Sequence, residues 1–357
     1  MSLSVGIVGL PNVGKSTTFN ALLKKKQAAA SNFAFCTIEP NVGIVSVPDE
    51  RLEKLSEVSK SKKTVPTAIE FVDIAGLVAG AHKGEGLGNK FLSHIREVDA
   101  IIEVVRDFKN EDITHVAGKV DPQSDIETIN LELIMADLQT AENRLQKLNK
   151  DIKSGDKKII TEKQILEKIK TQLEAEKPIR EIELSAEEAE AAKPYNFLTA
   201  KPLLYVFNVD ENNGGGQTFD RLPAENSISI NAQLEAEIAE LPETEQAEYK
   251  KEMGISETGL DKLIRSAYEM LNLITYFTSG EPETRAWTVT KNTKAPEAAG
   301  VIHTDFIKGF IRAEVVNWRD FIDNGGWSKA KEKGLVKTEG RSYEIKDGDT
   351  CYFLINK

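Results

Sequence analysis

A glycine-rich segment near the amino terminus has the residue types and spacing of a phosphate-binding loop. It spans positions 9–16 and reads G-L-P-N-V-G-K-S, which fits the pattern G-x-x-x-x-G-K-S. Glycines let backbone N–H groups surround phosphate oxygens, the lysine reaches the β- and γ-phosphates, and the serine hydroxyl can bind Mg²⁺. The residues expected at a bound nucleoside triphosphate are Asn12, Val13, Gly14, Lys15, Ser16 and Thr17.

The sequence on either side of this loop predicts the elements that must position it. The apolar run 5–8 predicts a strand before the loop, and the segment 19–23 predicts a helix after it. In a strand-loop-helix arrangement the amino end of the helix adds positive potential at the phosphates. A glycine turn with an accidental lysine is the competing interpretation, and the flanking elements disfavour it.

A second motif, Asp73-Ile74-Ala75-Gly76, follows another strand-like segment. An aspartate at this place can hold Mg²⁺ through a water molecule, and the N–H of Gly76 can reach the γ-phosphate. Thr37 lies between the two motifs and could complete the Mg²⁺ shell, but it is equally compatible with an ordinary loop. Four glycines between positions 77 and 89 are typical of a loop that orders on the γ-phosphate. The predicted Mg²⁺ ligands are Ser16, Thr37 and, through water, Asp73.

A third motif indicates which base is bound. The strand-like run 203–207 ends in Asn208-Val209-Asp210-Glu211, where GTP-specific switches carry Asn-Lys-x-Asp. Adenine has an amino donor where guanine has a carbonyl, and it lacks the exocyclic amine of guanine. Glu211 in place of aspartate removes the group that recognises guanine, so the motif favours ATP. We expect the base to contact Asn208, Val209 and Glu211, with Asn231 and Ala232 as a further wall.

Together these motifs resemble the Obg-like ATPase (YchF) family of P-loop proteins of the translation-factor class. The resemblance is carried by the phosphate loop and by Phe35–Asn41, Asp73–Val78, Asn208–Glu211 and Gly309–Glu314. It implies an α/β fold with a P-loop G domain over residues 1–273. An antiparallel α-helical coiled-coil hairpin would be inserted at about 126–195, and a small β-grasp (TGS) domain would occupy 274–357. The family hydrolyses ATP in preference to GTP and associates with ribosomes.

The resemblance also points to a residue for hydrolysis. Many relatives of the fold position water with a glutamine after the second motif, and this chain has Leu77 there. The family's histidine matches His115, whose neutral imidazole could align or deprotonate water; His82 is the rival candidate. Hydrolases without the glutamine often use K⁺ held by a phosphate-loop asparagine, and Asn12 occupies the matching position. We therefore hypothesise stimulation by K⁺.

Heptad spacing predicts the helical hairpin independently of the resemblance. Apolar residues recur at alternating steps of three and four from Leu131 to Ile152, break at 154–156, and resume at Leu166, Ile169 and Leu173. Nine basic and four acidic residues between Arg144 and Lys170 give this tip a net charge of +5. Such a run is either a solvated helix face or a contact with RNA or the ribosome.

The composition sets outer limits on function. The 357 residues carry a net charge of −11, which opposes nucleic-acid binding except at a local basic patch such as the hairpin tip. No apolar run approaches 18 residues and residues 1–5 lack a basic signal-type start, so we expect a cytoplasmic protein. Cys36 and Cys351 are the two cysteines, and their spacing indicates neither a disulfide framework nor a zinc site.

The leading hypothesis is a Mg²⁺-dependent ATPase that acts as a nucleotide-controlled switch at the ribosome, with K⁺ as a second ion. One alternative is an Obg-type GTPase, and another is a nucleotide-gated ribosome-binding protein with negligible hydrolysis in vivo. The expected partners are ATP and the ribosome, as the 70S particle or its large subunit, with its RNA. We expect a monomer with neither DNA nor a membrane as partner.

Overall fold

The computed structural model describes residues 3–29, 41–75, 87–110, 113–115, 118–151, 157–210, 226–255 and 257–356. The chain divides into two compact units. The first comprises the described parts of Met1–Lys25, Ile38–Gly43 and Glu70–Leu263. The second comprises the described parts of Lys26–Thr37, Ile44–Ile69 and Ile264–Lys357.

The described residues form both strands and helices. The strands are β1 (Ser4–Val8), β2 (Val42–Ser46), β3 (Thr64–Val65), β4 (Ala68–Asp73), β5 (Ala100–Asp107), β6 (Leu203–Val209), β7 (Ser227–Ile230), β8 (Leu273–Ser279), β9 (Thr284–Thr290), β10 (Phe310–Asn317), β11 (Lys337–Glu339) and β12 (Asp349–Ile355). The helices are α1 (Lys15–Ala29), α2 (Glu50–Ser59), α3 (Leu87–Glu97), α4 (Pro122–Asp151), α5 (Lys157–Glu174), α6 (Ala186–Ala192), α7 (Ala232–Ile238), α8 (Glu243–Met253), α9 (Gly259–Met270), α10 (Ala295–Ile302), α11 (Asp305–Gly309), α12 (Trp318–Asp323) and α13 (Trp327–Glu332). Over the described ranges, none of the helices combines the length and apolarity needed to cross a membrane.

The first sheet brings the predicted motifs to one edge. Its strand order is β2-β4-β1-β5-β6-β7, and β1 pairs in parallel with both β4 and β5. Strands β5, β6 and β7 continue the parallel pairing. All five residues of β1 and all seven of β6 are buried, as expected for strands covered on both faces. Because the carboxyl ends of parallel strands meet at one edge, the phosphate loop after β1, Asp73 at the end of β4 and Asn208 near the end of β6 lie on the same side of the sheet.

Helices α4 and α5 form the predicted antiparallel hairpin. Ion pairs join Arg144 to Glu162 and Glu142 to Lys170, so residue numbers rise along one helix as they fall along the other. The buried seam includes the predicted positions Ile134, Ala141, Leu145, Leu148, Leu166, Ile169 and Leu173. Positions 152–156, with the predicted break, lie outside the described residues.

The prediction for the start of the seam was wrong at Leu131. This side chain is 41% exposed, while Ile126, Ile129 and Leu133 are buried. The hairpin spacing does not extend to the base of α4, because there the helix also packs against β5 and the turn at Leu198–Ala200. A different face of the helix is therefore buried at the base than further along the hairpin.

The second sheet has the predicted β-grasp arrangement. Its order is β11-β10-β12-β8-β9-β3, with β12 parallel to β8 and the hairpin β8–β9 antiparallel. Helix α10 packs on this sheet through Ala295, Ala298 and Ala299, which share a core with Tyr276 and Phe310.

The compact units differ in two respects from the predicted division at 273/274: the last segment of the second unit begins at Ile264, and that unit also contains earlier segments. Helix α2 belongs to the second unit, where Leu52 and Leu55 pack against Phe277 and Phe321. The guanidinium of Arg51 lies 5.2 Å from the ring centre of Phe277. Apolar packing thus assigns this early segment to the second sheet, although it precedes most of the first unit in sequence.

Candidate nucleotide site

The phosphate loop connects β1 to α1 and has a backbone that requires glycine at position 14. Gly14 has φ +97°, and an added Cβ atom would lie 2.2 Å from Nδ2 of Asn208. A side chain is therefore excluded both by the backbone conformation and by space. The carbonyl of Gly14 accepts hydrogen bonds from the N–H and the hydroxyl of Thr18, which fixes the first turn of α1.

Lys15 and Asp73 meet at the sheet edge as an ion pair. Their side chains are 11% and 19% exposed, so the pair is largely shielded from water. Ser16 is exposed next to it. A hydroxyl and a carboxylate are oxygen ligands of the kind that Mg²⁺ accepts together with water and substrate phosphates. The donors present therefore fit Mg²⁺. The other predicted Mg²⁺ ligand, Thr37, lies outside the described residues, as does Gly76, which was predicted to reach the γ-phosphate.

The described residues do not form a metal site from protein side chains alone. Within the part of the chain that the structure describes, no group of three or more His, Cys, Asp and Glu side chains could hold a metal ion. Ser16 and Asp73 alone would leave most positions of a Mg²⁺ ion to water and phosphate, which is the usual arrangement at phosphate sites.

Asn208, near the end of β6, is hydrogen-bonded to the phosphate loop. Its Nδ2 donates to the carbonyl of Val13 at 3.0 Å, and its Oδ1 accepts from the N–H of Ala232 at 3.0 Å. The side chain is 6% exposed, so both hydrogen bonds are shielded. Asn208 was predicted to contact the base; in the structure its amide joins the phosphate loop to the start of α7.

A cavity of about 590 Å³ opens at the carboxyl end of β6, and we call it the β6 cavity. Of the predicted site residues it is lined by Asn12, Gly14, Thr17, Asn208, Val209, Asn231 and Ala232. Phe108, Lys109, Asn110 and Ile113 form another part of its lining. Its size and its mixed lining are suited to a small molecule with a flat ring and polar edges.

Two further details define the β6 cavity. Asn231 caps α7, because its Oδ1 accepts from the N–H of Leu234 at 3.0 Å. Asp210 also lines the cavity, and its Oδ1 is buried without a hydrogen-bond partner in the described portion of the chain. Burial and the neighbouring Asp210 carboxylate raise the pKa of Asp107. The predicted contact Glu211 lies outside the described residues.

His115 lies in the connection between β5 and α4. Its side chain is 4% exposed, and its Nε2 lies 2.9 Å from Oδ2 of Asp125 in the first turn of α4. Burial raises the pKa of Asp125, while the hydrogen bond to His115 opposes this rise. The adjacent Thr114 accepts a hydrogen bond at 3.1 Å from Nδ2 of Asn12 in the phosphate loop. The structure thus joins the phosphate loop to the His115 segment; the rival His82 lies outside the described residues.

The sequence interpretation missed Asp125 and Arg106. Each is a charged residue with almost no exposed surface, at 4% and 1% respectively. Arg106 directly follows the strand-like segment 101–105, which is apolar except at Glu103, so a charge at the end of a buried strand was the available signal. The sequence contained no comparable signal for Asp125, whose neighbours are ordinary for the start of a helix.

Two family models match the chain. One, described as "50S ribosome-binding GTPase", matches residues 4–163. The other, YchF-GTPase_C, described as "Protein of unknown function (DUF933)", matches residues 273–356. The chain therefore carries a P-loop domain of the GTPase type and a YchF carboxyl-terminal domain.

Curated relatives match over the whole length. The protein named "Ribosome-binding ATPase YchF" of Bacillus subtilis (strain 168) is 53% identical, with 100% of each chain covered. The protein of the same name in Escherichia coli O157:H7 is 51% identical at the same coverage. The solved structure of the Schizosaccharomyces pombe YchF GTPase superposes with a TM-score of 0.88 at 38% identity, covering 99% of this chain and 98% of that one. On sequence and on structure, this chain belongs to the YchF family.

Proposed function

We propose that the chain is a Mg²⁺-dependent ATPase whose nucleotide state controls its association with the ribosome. The observation that supports this most strongly is the meeting of Lys15 and Asp73 at the mouth of the phosphate loop. An ammonium group suits the β- and γ-phosphates, and a carboxylate beside it suits the metal that neutralises them. Bound Mg²⁺ would supply neutralisation of the charge that develops on the transferred phosphoryl group.

The preference for ATP rests on the motif Asn208-Val209-Asp210-Glu211, three residues of which line the β6 cavity. GTP-specific switches place an aspartate carboxylate against two hydrogen-bond donors of the guanine edge, and this chain has Glu211 at that position. Adenine lacks the exocyclic amine of guanine, so the loss of the aspartate weakens binding of GTP and not of ATP.

Hydrolysis is assigned to His115, with Asp125 holding the imidazole. A buried histidine with a carboxylate on one ring nitrogen has a fixed ring orientation. Asn12 contacts the carbonyl of the neighbouring Thr114, so the segment can respond to what the phosphate loop binds. We include K⁺ at Asn12 in the proposal, because an asparagine in this loop position offers an oxygen ligand beside the phosphates.

Ribosome association is supported by the names of the relatives and by charge. The Bacillus subtilis and Escherichia coli relatives are each named ribosome-binding. In a chain of net charge −11, the hairpin segment 144–170 is +5, and a local basic surface is what an RNA contact requires. The docking surface in the proposal is therefore the hairpin tip.

Phosphate release from ATP, measured with and without ribosomes, tests the proposal. Lys15→Ala should lose at least about 100-fold in turnover with Mg²⁺ present, since it removes the cation at the transferred phosphoryl group. Lys54→Ala is the matched control, because Lys54 is exposed and, among the described residues, forms its ion pair with Glu50 on its own helix. Equal turnover of Lys15→Ala and Lys54→Ala would overturn the assignment of the site.

A further inference from the structure

Arg106 is a buried cation beside the β6 cavity. It is the penultimate residue of β5, its side chain is 1% exposed, and it is among the largest fully buried side chains of the described residues. An arginine is very rarely buried this completely unless its donors are occupied. The groups that occupy them therefore indicate what the side chain does.

The guanidinium donates to three backbone carbonyls of the connection that follows β5. Nε lies 3.3 Å from the carbonyl of Phe108, Nη2 lies 3.0 Å from that of Asn110, and Nη1 lies 3.0 Å from that of Ile113. A rigid planar fork with several donors can hold a turn of backbone in one conformation, which a lysine ammonium cannot reproduce.

The same guanidinium also lies on an aromatic ring. Its Cζ is 4.4 Å from the centre of the Phe108 ring, a distance typical of a cation–π contact. Phe108, Asn110 and Ile113, whose carbonyls Arg106 holds, all line the β6 cavity, whereas Arg106 itself does not. Arg106 thus holds one wall of the cavity in place without itself lining the cavity.

The held segment continues directly into Thr114 and His115. Thr114 accepts the hydrogen bond from Asn12, and His115 contacts Asp125. Asp125 is also close enough for its charge to stabilise the charged form of Arg106, which burial disfavours. The wall of the cavity and the histidine segment therefore depend on one buried side chain.

We propose that Arg106 is a positioning residue that fixes the wall of the base site formed by Phe108, Asn110 and Ile113 and thereby sets discrimination between adenine and guanine nucleotides. A fixed wall holds the base at one depth, and hydrogen-bond discrimination between bases requires such a fixed position. This inference rests on the proposed function, since it takes the β6 cavity to be the site of the base.

The test measures dissociation constants for ATP, GTP and inorganic tripolyphosphate, each with Mg²⁺. Tripolyphosphate engages the phosphate loop but carries no base. Arg106→Met should weaken ATP binding about five- to tenfold and reduce the preference for ATP over GTP by a similar factor. The constant for tripolyphosphate should stay within about twofold. Methionine is chosen because it fills buried space without leaving an unpaired charge.

Two further variants separate positioning from general stability. Arg180→Met is the matched control, since Arg180 also donates to three oxygens, those of Thr199, Lys201 and Asn130, but does not line or support the cavity. Its ATP-to-GTP ratio should be that of the wild type even if its stability falls. Phe108→Leu should weaken ATP binding less in the Arg106→Met background than in the wild type, because Arg106→Met has already removed the contact that holds the Phe108 ring.

An unchanged ratio in Arg106→Met, an equal loss for tripolyphosphate, or additive effects with Phe108→Leu would each overturn the inference. If Arg106→Met does not unfold cooperatively, Arg106→Lys is judged by the same criteria, since lysine keeps the charge but not the fork. Failure of the wild type to bind ATP would contradict the proposed function itself. Normal ATP binding by the wild type and by every variant would contradict only the role of Arg106.

Discussion

Nε2 of His115 lies 2.9 Å from Oδ2 of Asp125, with both side chains almost completely buried. Asp125 belongs to the first turn of α4, the helix that forms one half of the hairpin. The contact therefore joins the residue assigned to hydrolysis to the base of the element assigned to ribosome docking. Movement of the hairpin would change the position of the imidazole directly.

The first prediction concerns this pair. His115→Gln should lower kcat about 100-fold, and Asp125→Asn about tenfold, with the dissociation constant for ATP unchanged in both. Burial raises the pKa of Asp125, so the decline of kcat toward low pH should begin above the range of an ordinary carboxyl group and be absent in Asp125→Asn. His303→Gln is the control, as the His303 side chain is 60% exposed. If neither site variant changes steady-state phosphate release, His115 has no part in hydrolysis.

The second prediction concerns Asn12 and K⁺. Wild-type turnover should be several-fold higher in potassium chloride than in sodium chloride of equal concentration, and Asn12→Gly should remove the difference. Glycine is the appropriate replacement because Asn12 has φ +65°, a conformation in which alanine would be strained. Identical wild-type rates in the two salts would rule out the K⁺ site.

The third prediction concerns the acid stability of the first unit. Burial would raise the pKa of Asp261, but the ion pair with Lys25, a hydrogen bond from the N–H of Thr258 and the charge of Lys250 together lower it to about 2 from an ordinary 3.8. A lowered pKa means that the stabilisation is complete above 3.8 and is lost as the pH falls toward 2.

Asp261→Asn should therefore reduce the free energy of unfolding by about 2 kcal/mol at pH 7. The difference between wild type and variant should shrink to about half of this at pH 3. Urea unfolding at the two pH values measures the difference. If the difference in the free energy of unfolding stays constant or widens as the pH falls, the Asp261 carboxylate is not stabilised in this way.

The fourth prediction concerns the hairpin. Lys147 and Lys150 are exposed on α4 within the basic segment, and changing both to glutamine should weaken co-sedimentation with ribosomes at physiological salt. Lys329→Gln with Lys337→Gln removes the same charge from exposed positions of the second unit and should have little effect. Equal co-sedimentation of the two double variants would show that these hairpin lysines do not contribute to ribosome binding.

The sequence was sufficient to predict those features that depend on neighbouring residues. The phosphate loop, the strand before it and the helix after it depend on neighbouring residues, and the structure places them as predicted. The heptad seam was likewise visible, except at Leu131, where helix α4 buries another face. There the fold, and not the helix alone, determines which side is covered.

Features that depend on distant residues could not be predicted. Asn208 meets Val13 across 195 positions, and the packing of α2 on the second sheet joins segments more than 200 residues apart. Arg106 was missed for a different reason, because the carbonyls that it holds belong to residues only two to seven positions further along the chain. Its charge near the end of β5 was visible in the sequence, but the backbone conformation of the connection that follows β5 was not.

The central claim, an ATP site in the β6 cavity, is tested most directly by calorimetric titration of one preparation with ATP and with GTP in the presence of Mg²⁺. ATP should bind more tightly by about tenfold or more, as expected when the hydrogen-bond donors of guanine lack their usual acceptor. Glu211→Asp should narrow this difference in affinity, because it restores the residue that GTP-specific switches carry at this position. Equal affinities, or tighter binding of GTP by the wild type, would contradict the account and favour an Obg-type GTPase.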